Sequence, residues 1–297
     1  MRKVHFGKTG YMLSPVIYAG IVSMNEKQAD SDFYVLKAVE AGVNYFDVAP
    51  SYGDAEVVLG NSLRPYRKDV YLACKTMHRK ADNAQKELSS SLKHLHTDWL
   101  DLYQLHAMTS SEDVETAFGP GGTMELLVRL KEQGIVRKIG FSAHSEQAAM
   151  ECLRLYPFDS VMFPLNWMLH IGQGIGSSLV QAAREKGFAM LGIKSIVERA
   201  WLDDEDRENT PWPKSWCKPF HEADEALRIA AMKYTFDLGA DVLIPPGNWE
   251  CQVFMMEHVQ QCMDNKLSEQ ERELLIEHYQ TVKNSPFFVK DHGGWPS

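Results

Sequence analysis

The stretch NYFDVAPSYGDAEVVLG, residues 44–60, ends a strand-like run on Asp47 and sets Tyr52 in the loop that follows. Residues 44–48 are otherwise mostly apolar, and a charge inside a buried strand is costly. Two later runs repeat the pattern: VYLACK, residues 70–75, ends at Lys75, and DLYQLH, residues 101–106, ends at His106. An acid, a phenol, an ammonium and an imidazole at successive strand ends read as one site assembled from several strands.

Outward from these runs, strand and helix signals alternate along the chain. Strands are expected at residues 16–20, 44–48, 70–75, 101–106, 138–142, 160–164, 188–193 and 242–245. Amphipathic helical stretches follow at 26–40, 55–63, 81–95, 123–133, 145–155, 175–185, 223–237 and 250–262. Gly42, Gly134, Gly187 and Gly239 fall where left-handed helix ends would sit. Eight such units predict an α/β fold, a (β/α)8 TIM barrel, read as a single domain over residues 1–297. An open doubly wound sheet would carry GxGxxG after its first strand, and none is there. The glycines of GQGIG, residues 172–176, read as a flexible loop, and no internal repeat is visible.

Three pieces lie outside the units. Residues 4–13 read as an N-terminal hairpin plugging the barrel bottom, and residues 268–279 as an extra C-terminal helix with Ser268 and Glu271 in capping-box spacing. The long loop after strand 7, residues 195–221, is rich in Trp and Pro and reads as a lid.

The formal net charge of -9 and the lack of a basic cluster argue against nucleic acid as a partner. No apolar run reaches the roughly 18–20 residues of a membrane span, and the N-terminus has no secretory h-region. The 5 cysteines show no CxxC spacing, which points to reduced thiols, no metal site and a cytoplasmic location.

In a barrel, strands 2, 3 and 4 are neighbours, so Asp47, Lys75 and His106 would meet at the C-terminal rim with Tyr52 folded over them. Lys75 would lower the Tyr52 pKa, Asp47 would neutralise Lys75, and His106 would position a carbonyl oxygen or assist proton transfer. Such a site suits proton delivery to an oxygen that becomes negative, as when hydride adds to a carbonyl carbon. A Schiff-base aldolase using Lys75 as nucleophile is an alternative chemistry.

The chain resembles the aldo-keto reductase superfamily. The likeness is carried by RKVHFGKTGYMLSPVIYAG at the start, NYFDVAPSYGDAEVVLG with its acid and tyrosine, ACKT with its lysine and LYQLHA with its histidine. The resemblance implies an NAD(P)H-dependent oxidoreductase that reduces an aldehyde or ketone to an alcohol, with Tyr52 as general acid and a small-molecule carbonyl substrate. It implies cofactor contacts from Ser142 and Asn166, while Ala143 and Met162 replace amide-binding residues common in the family and His144 is a candidate substitute. The seventh strand resembles the branch ending in Met-Lys-Pro, which makes Lys194 and Arg199 candidates for the pyrophosphate, or solvated loop charges. Pro246, Gly247 and Asn248 would offer a helix start to a phosphate.

Many NADPH-using relatives place Lys or Arg after the eighth strand, and none stands between Ile244 and Val259. NADPH is the expected cofactor on family frequency, with NADH the alternative. Trp167, Met168, Trp201 and Trp212 are expected at the substrate wall. A cofactor-sensing binding protein, as among potassium-channel beta subunits, is the alternative function.

Overall fold

A computed structural model gives the arrangement of residues 1–286; residues 287–297 lie outside the described residues, as does that end of the expected domain. Its centre is eight parallel strands: Tyr18–Ala19 (β1), Tyr45–Asp47 (β2), Tyr71–Thr76 (β3), Leu102–Met108 (β4), Ile139–Ala143 (β5), Ser160–Phe163 (β6), Ala189–Ile193 (β7) and Val242–Ile244 (β8). All eight overlap the expected runs. The circle closes just ahead of β1, where Ile17 N–H donates to Leu243 O (3.1 Å) and Leu243 N–H donates to Pro15 O (2.8 Å). Buried on both faces, these strands read as near-continuous apolar runs, which is why polar residues within them stand out.

A recurring side-chain device fixes the strand starts. Asn44, Asp101, Asp159 and Asp241 each stand immediately before an even-numbered strand. Their side-chain oxygens accept from the backbone N–H of Ser14, Leu72, Ile139 and Met190 (2.7, 3.0, 2.9 and 2.7 Å). Each of the three aspartates also donates its own N–H to the carbonyl of the same residue (2.9 Å in each case). The barrel thus repeats in strand pairs by role, though not by sequence.

The N-terminal strands Val4–His5 and Met12–Leu13 pair antiparallel across the barrel bottom. Lys8 N–H donates to Gly187 O (3.0 Å), and the Gly7 backbone lies so close to the start of β7 that an added Cβ would sit 2.6 Å from Ala189 N. Outside the barrel, helices fall where expected, and Gly42, Gly134, Gly187 and Gly239 all take positive φ. Two helices outside residues 195–221 escaped the sequence reading. Ser111–Phe118 precedes Thr123–Glu132, and Trp167–Gln173 precedes Ser177–Lys186. GQGIG is therefore not a free loop: Gly174 (φ 66°) ends one helix and Gly176 (φ 96°) begins the next. The helix Glu269–Val282 carries its complete capping box.

The excursion after β7 is ordered. Strands Val197–Arg199 and Lys218–Pro219 pair antiparallel around the short helix Asp204–Glu208. Lys214 forms an ion pair with Glu26 and donates to Val22 O (3.3 Å), tying this excursion to the loop after β1. Among the described residues no helix is long and apolar enough to cross a membrane.

Candidate active site

Register alone brings the polar strand ends together. Asp47 sits beside Ala73 on β3, and Lys75 beside Gln104 on β4. Lys75 is fully buried and Asp47 is 3 % exposed. The Lys75 ammonium donates to Asp47 Oδ2 and, at 3.4 Å, to the Tyr52 hydroxyl. Tyr52 reaches it because the loop after β2 turns back at Ala49–Tyr52, where Tyr52 N–H donates to Ala49 O (3.0 Å). Its ring lies 6.0 Å from that of His106 at an interplanar angle of 87°. The four strand-end residues are brought into one cluster.

The rim at His106 departs from a regular strand. The β4–β5 register shifts between Leu105 and Met108, and Ala107 takes φ 53°, a left-handed conformation that non-glycine residues seldom adopt. Three bonds hold it: Ala107 N–H donates to Ser142 Oγ (2.8 Å), and Arg79 Nη2 donates to the carbonyls of His106 (2.8 Å) and Ala107 (3.0 Å). Arg79 is itself held by Asp113 (2.9 Å).

Electrostatics follow from burial. Desolvation raises the Asp47 carboxyl, and the ammonium of Lys75 and the amide of Gln104 pull it back down. Burial lowers the Lys75 ammonium, but Asp47, Tyr52 and Cys74 together raise it by more, so it stays a firm ammonium. Tyr52 differs from the sequence expectation. Burial, assisted by the charge of Asp47, outweighs the pull of Lys75, and the phenol sits above its ordinary value rather than below it. His106 falls to about 3, through burial first and then Lys75 and Arg79, which keeps its imidazole neutral.

These groups open into a cavity of about 260 Å³ at the C-terminal rim. Its wall includes Asp47, Tyr52, His106, Ser142, His144, Lys194, Pro246 and Gly247. Lys194 follows β7 in a left-handed conformation (φ 65°), its carbonyl accepting from Asn166 Nδ2 (2.7 Å) and Val197 N–H (3.1 Å). Burial lowers its ammonium pKa.

Three residues expected at the cofactor lie outside this wall. Asn166 is fully buried behind Lys194, where its Oδ1 caps the helix Trp167–Gln173. Arg199 grips Asp206 with both terminal nitrogens (2.7 and 3.1 Å). Asn248 caps the helix Trp249–Asp264, and its N–H is spent on Pro246 O (2.8 Å).

The expected aromatic wall is also corrected. Trp167 and Met168 are core residues, with Trp167 stacked on Phe220 at 5.5 Å; Trp212 is buried, and Trp201 donates to Ser215 O (2.9 Å). The cavity instead takes Trp216 and Met77, both about half exposed, together with Ser51. The sequence reading also passed over Gln104, whose signal was available: it is the one interior polar residue of the run DLYQLH.

Comparison with known proteins assigns the family. The model of the aldo/keto reductase family matches residues 19–241. The chain belongs to the aldo/keto reductase family. An uncharacterized oxidoreductase of Bacillus subtilis is 28% identical over 176 residues, covering 54% of this chain and 55% of the relative. An aldo-keto reductase of Mycolicibacterium vanbaalenii is 31% identical over 204 residues, covering 65% and 70%. The chain spans about half the length of the first curated relatives it matches. Among solved structures, an aldo-keto reductase from Klebsiella pneumoniae in complex with NADPH superposes with a TM-score of 0.68 at 18% identity, covering 97% of this chain and all of that one. The holo form of one from Bacillus halodurans gives 0.69 at 20% identity, covering 99% of each. At these identities the likeness establishes the barrel fold.

Proposed function

We propose that this aldo/keto reductase family member is an NAD(P)H-dependent enzyme that reduces an aldehyde or ketone to an alcohol, with Tyr52 as general acid. The observation that carries this reading is the Lys75 ammonium standing between the Asp47 carboxylate and the Tyr52 hydroxyl on the cavity wall.

Burial keeps Tyr52 protonated until a neighbouring oxygen becomes basic enough to take the proton. As the proton leaves, the phenolate forms beside a permanent ammonium, whose own charge is balanced by Asp47. Neutral His106 supplies a ring N–H to the same oxygen and contributes no competing charge. A carbonyl oxygen on this rim is therefore polarised from two sides, and the charge it develops is quenched by the Tyr52 proton.

The residues of the wall fit a nicotinamide dinucleotide. Ser142 Oγ already accepts from Ala107, which leaves its hydroxyl hydrogen for a ligand, and His144 lies beside it. Lys194 is an ammonium depressed by desolvation, so an anion at that wall would relieve it. Gly247 keeps this stretch close to its neighbours, since an added Cβ would press on Ile21 Cγ2 at 3.0 Å and Lys214 O at 3.1 Å. In this reading Ser142 and His144 hold the carboxamide, and Lys194, Pro246 and Gly247 face the phosphates. The bound cofactor supplies the hydride.

Tyr52→Phe tests the proposal. The variant is expected to lose aldehyde reduction while keeping cofactor affinity within about twofold, since it removes one hydroxyl and no wall contact to the nucleotide. Aldehyde turnover at the unsubstituted rate would refute the acid role. Tight cofactor binding with no turnover of any carbonyl by the unsubstituted protein would favour the cofactor-sensing alternative.

A further inference from the structure

At the rim, two residues of β4 face one of β5. Leu105 pairs with Phe141 and Met108 with Ala143, so His106 and Ala107 together oppose Ser142. Such a bulge leaves backbone groups without ladder partners and re-aims the side chain beside it. Ser142 Oγ accepts the Ala107 N–H, and both remaining carbonyls go to one guanidinium, that of Arg79 in the loop after β3.

Arg79 also donates from Nη1 to Met77 O (3.1 Å). The three carbonyls it gathers belong to Met77, His106 and Ala107, and all three residues line the cavity. Arg79 itself stands behind them, its side chain 11 % exposed. The guanidinium is fixed from its far side, where Nε donates to Asp113 Oδ1. Asp113 lies in the first turn of the helix Ser111–Phe118. Its N–H donates to Ser110 Oγ (3.2 Å), and its Oδ2 accepts from Thr109 N–H (2.9 Å) and Thr109 Oγ1 (2.8 Å). The Arg79 carbonyl accepts from Thr123 N–H (3.0 Å), which anchors the backbone that carries the side chain. A planar fork backed by a fixed carboxylate is preorganised in a way that a lysine ammonium is not. After burial and Lys75, the Arg79 charge also disfavours an imidazolium at His106.

We propose that Arg79 is a positioning residue. Through the His106 and Ala107 carbonyls it holds the left-handed rim that aims the His106 ring, and through Met77 it sets the substrate side of the cavity against that ring. The inference rests on the reading that this cavity reduces a carbonyl.

The test compares Arg79→Met, Arg79→Lys and the double variant Arg79→Met/Ala107→Gly with the unsubstituted protein. Arg79→Met should lower kcat for aldehyde reduction about tenfold or more and keep cofactor affinity within about threefold, because it removes no nucleotide contact. Arg79→Lys retains the charge without the fork and should not recover the rate. Glycine accepts a positive φ unaided, so Ala107→Gly in the Arg79→Met chain should raise kcat again by about threefold or more. An unchanged kcat in Arg79→Met, full activity in Arg79→Lys, or a loss that Ala107→Gly leaves untouched would overturn the proposal.

If Arg79→Met does not fold, Asp113→Asn carries the test. It weakens the hold on Nε, so kcat should fall about threefold or more at unchanged cofactor affinity, and no fall would refute the role. NMR of the histidine ring nitrogens, with His106 assigned through His106→Gln, reads the same geometry without turnover. The His106 signals should move in Arg79→Met and in Asp113→Asn, and unmoved signals would refute the positioning. If those signals moved while the unsubstituted protein reduced no carbonyl, the reduction reading would fall and the positioning would stand.

Discussion

Gln104 Nε2 donates to Asp47 Oδ1 at 2.8 Å, while the opposite carboxylate oxygen accepts from Lys75. Gln104 is fully buried inside the barrel, and its own Oε1 has no partner among the described residues. An orphaned buried carbonyl costs on the order of 1–3 kcal/mol, which the bond to the Asp47 carboxylate offsets. What the amide does gain is the orientation of Asp47, and through it the position of Lys75 under Tyr52. Gln104→Met, similar in length but without the donor, is expected to lower kcat about tenfold or more. Its melting temperature should change little, because the orphaned oxygen is gone while Asp47 Oδ1 loses one donor. Loss of stability together with loss of cofactor affinity would mean that Gln104 is merely structural.

His106 gives a pH prediction. Its pKa of about 3 lies below the ordinary imidazole value, so the neutral ring persists across the usual assay range. Tyr52, raised by burial, keeps its proton past its ordinary value. The rate of aldehyde reduction should therefore run flat through pH 6–8, with no inflection where a free histidine titrates. The linked stability has the opposite dependence. It is complete above the unfolded histidine value and declines as pH falls toward 3. A rate inflection near 6.5 that disappears in His106→Gln would contradict the neutral-ring assignment.

The legible parts of this molecule were those in which a residue contradicted its surroundings. Asp47, Lys75 and His106 stand out as polar ends of apolar strands, and the glycines after helices mark left-handed stops that the backbone confirms. What stayed hidden depends on tertiary neighbours. Trp167, Trp201, Trp212 and Trp216 are alike in sequence, and of the four only Trp216 lines the cavity. Arg228 reads as an ordinary helix charge until it is seen buried against Phe254. The helix Ser111–Phe118 is short, and its apolar residues Val114, Ala117 and Phe118 span a single turn, too little of a period to stand out beside the longer helices.

Lys194 couples strain to the proposed nucleotide contact. A lysine at φ 65° carries a backbone penalty on the order of 1 kcal/mol that glycine would escape. It persists because Asn166 Nδ2 and Val197 N–H hold its carbonyl. Lys194→Gly is therefore expected to fold at least as stably as the unsubstituted chain while binding NADPH about tenfold more weakly, which cofactor fluorescence would measure. A variant that melts earlier yet binds normally would show that the lysine serves the backbone and not the nucleotide.

The bases of the even-numbered strands provide the last prediction. Asp101 meets Arg67 (3.3 Å) and Arg137 (3.1 Å), and Asp159 meets Lys131 (2.8 Å). Asp241 makes the same backbone bonds without an ion-pair partner among the described residues, and burial pushes it up to about 6. A carboxyl raised above its unfolded value stabilises the fold at low pH, and that contribution is lost as pH rises through 6. Asp241→Asn keeps an oxygen to accept from Met190 N–H and removes the buried charge. It should stabilise the protein by about 1–2 kcal/mol at pH 7.5, and the gain should vanish near pH 4, where both side chains are neutral. Thermal melts of the two proteins at both pH values would check this. An equal shift at pH 4 and 7.5 would place the effect in packing rather than in ionisation.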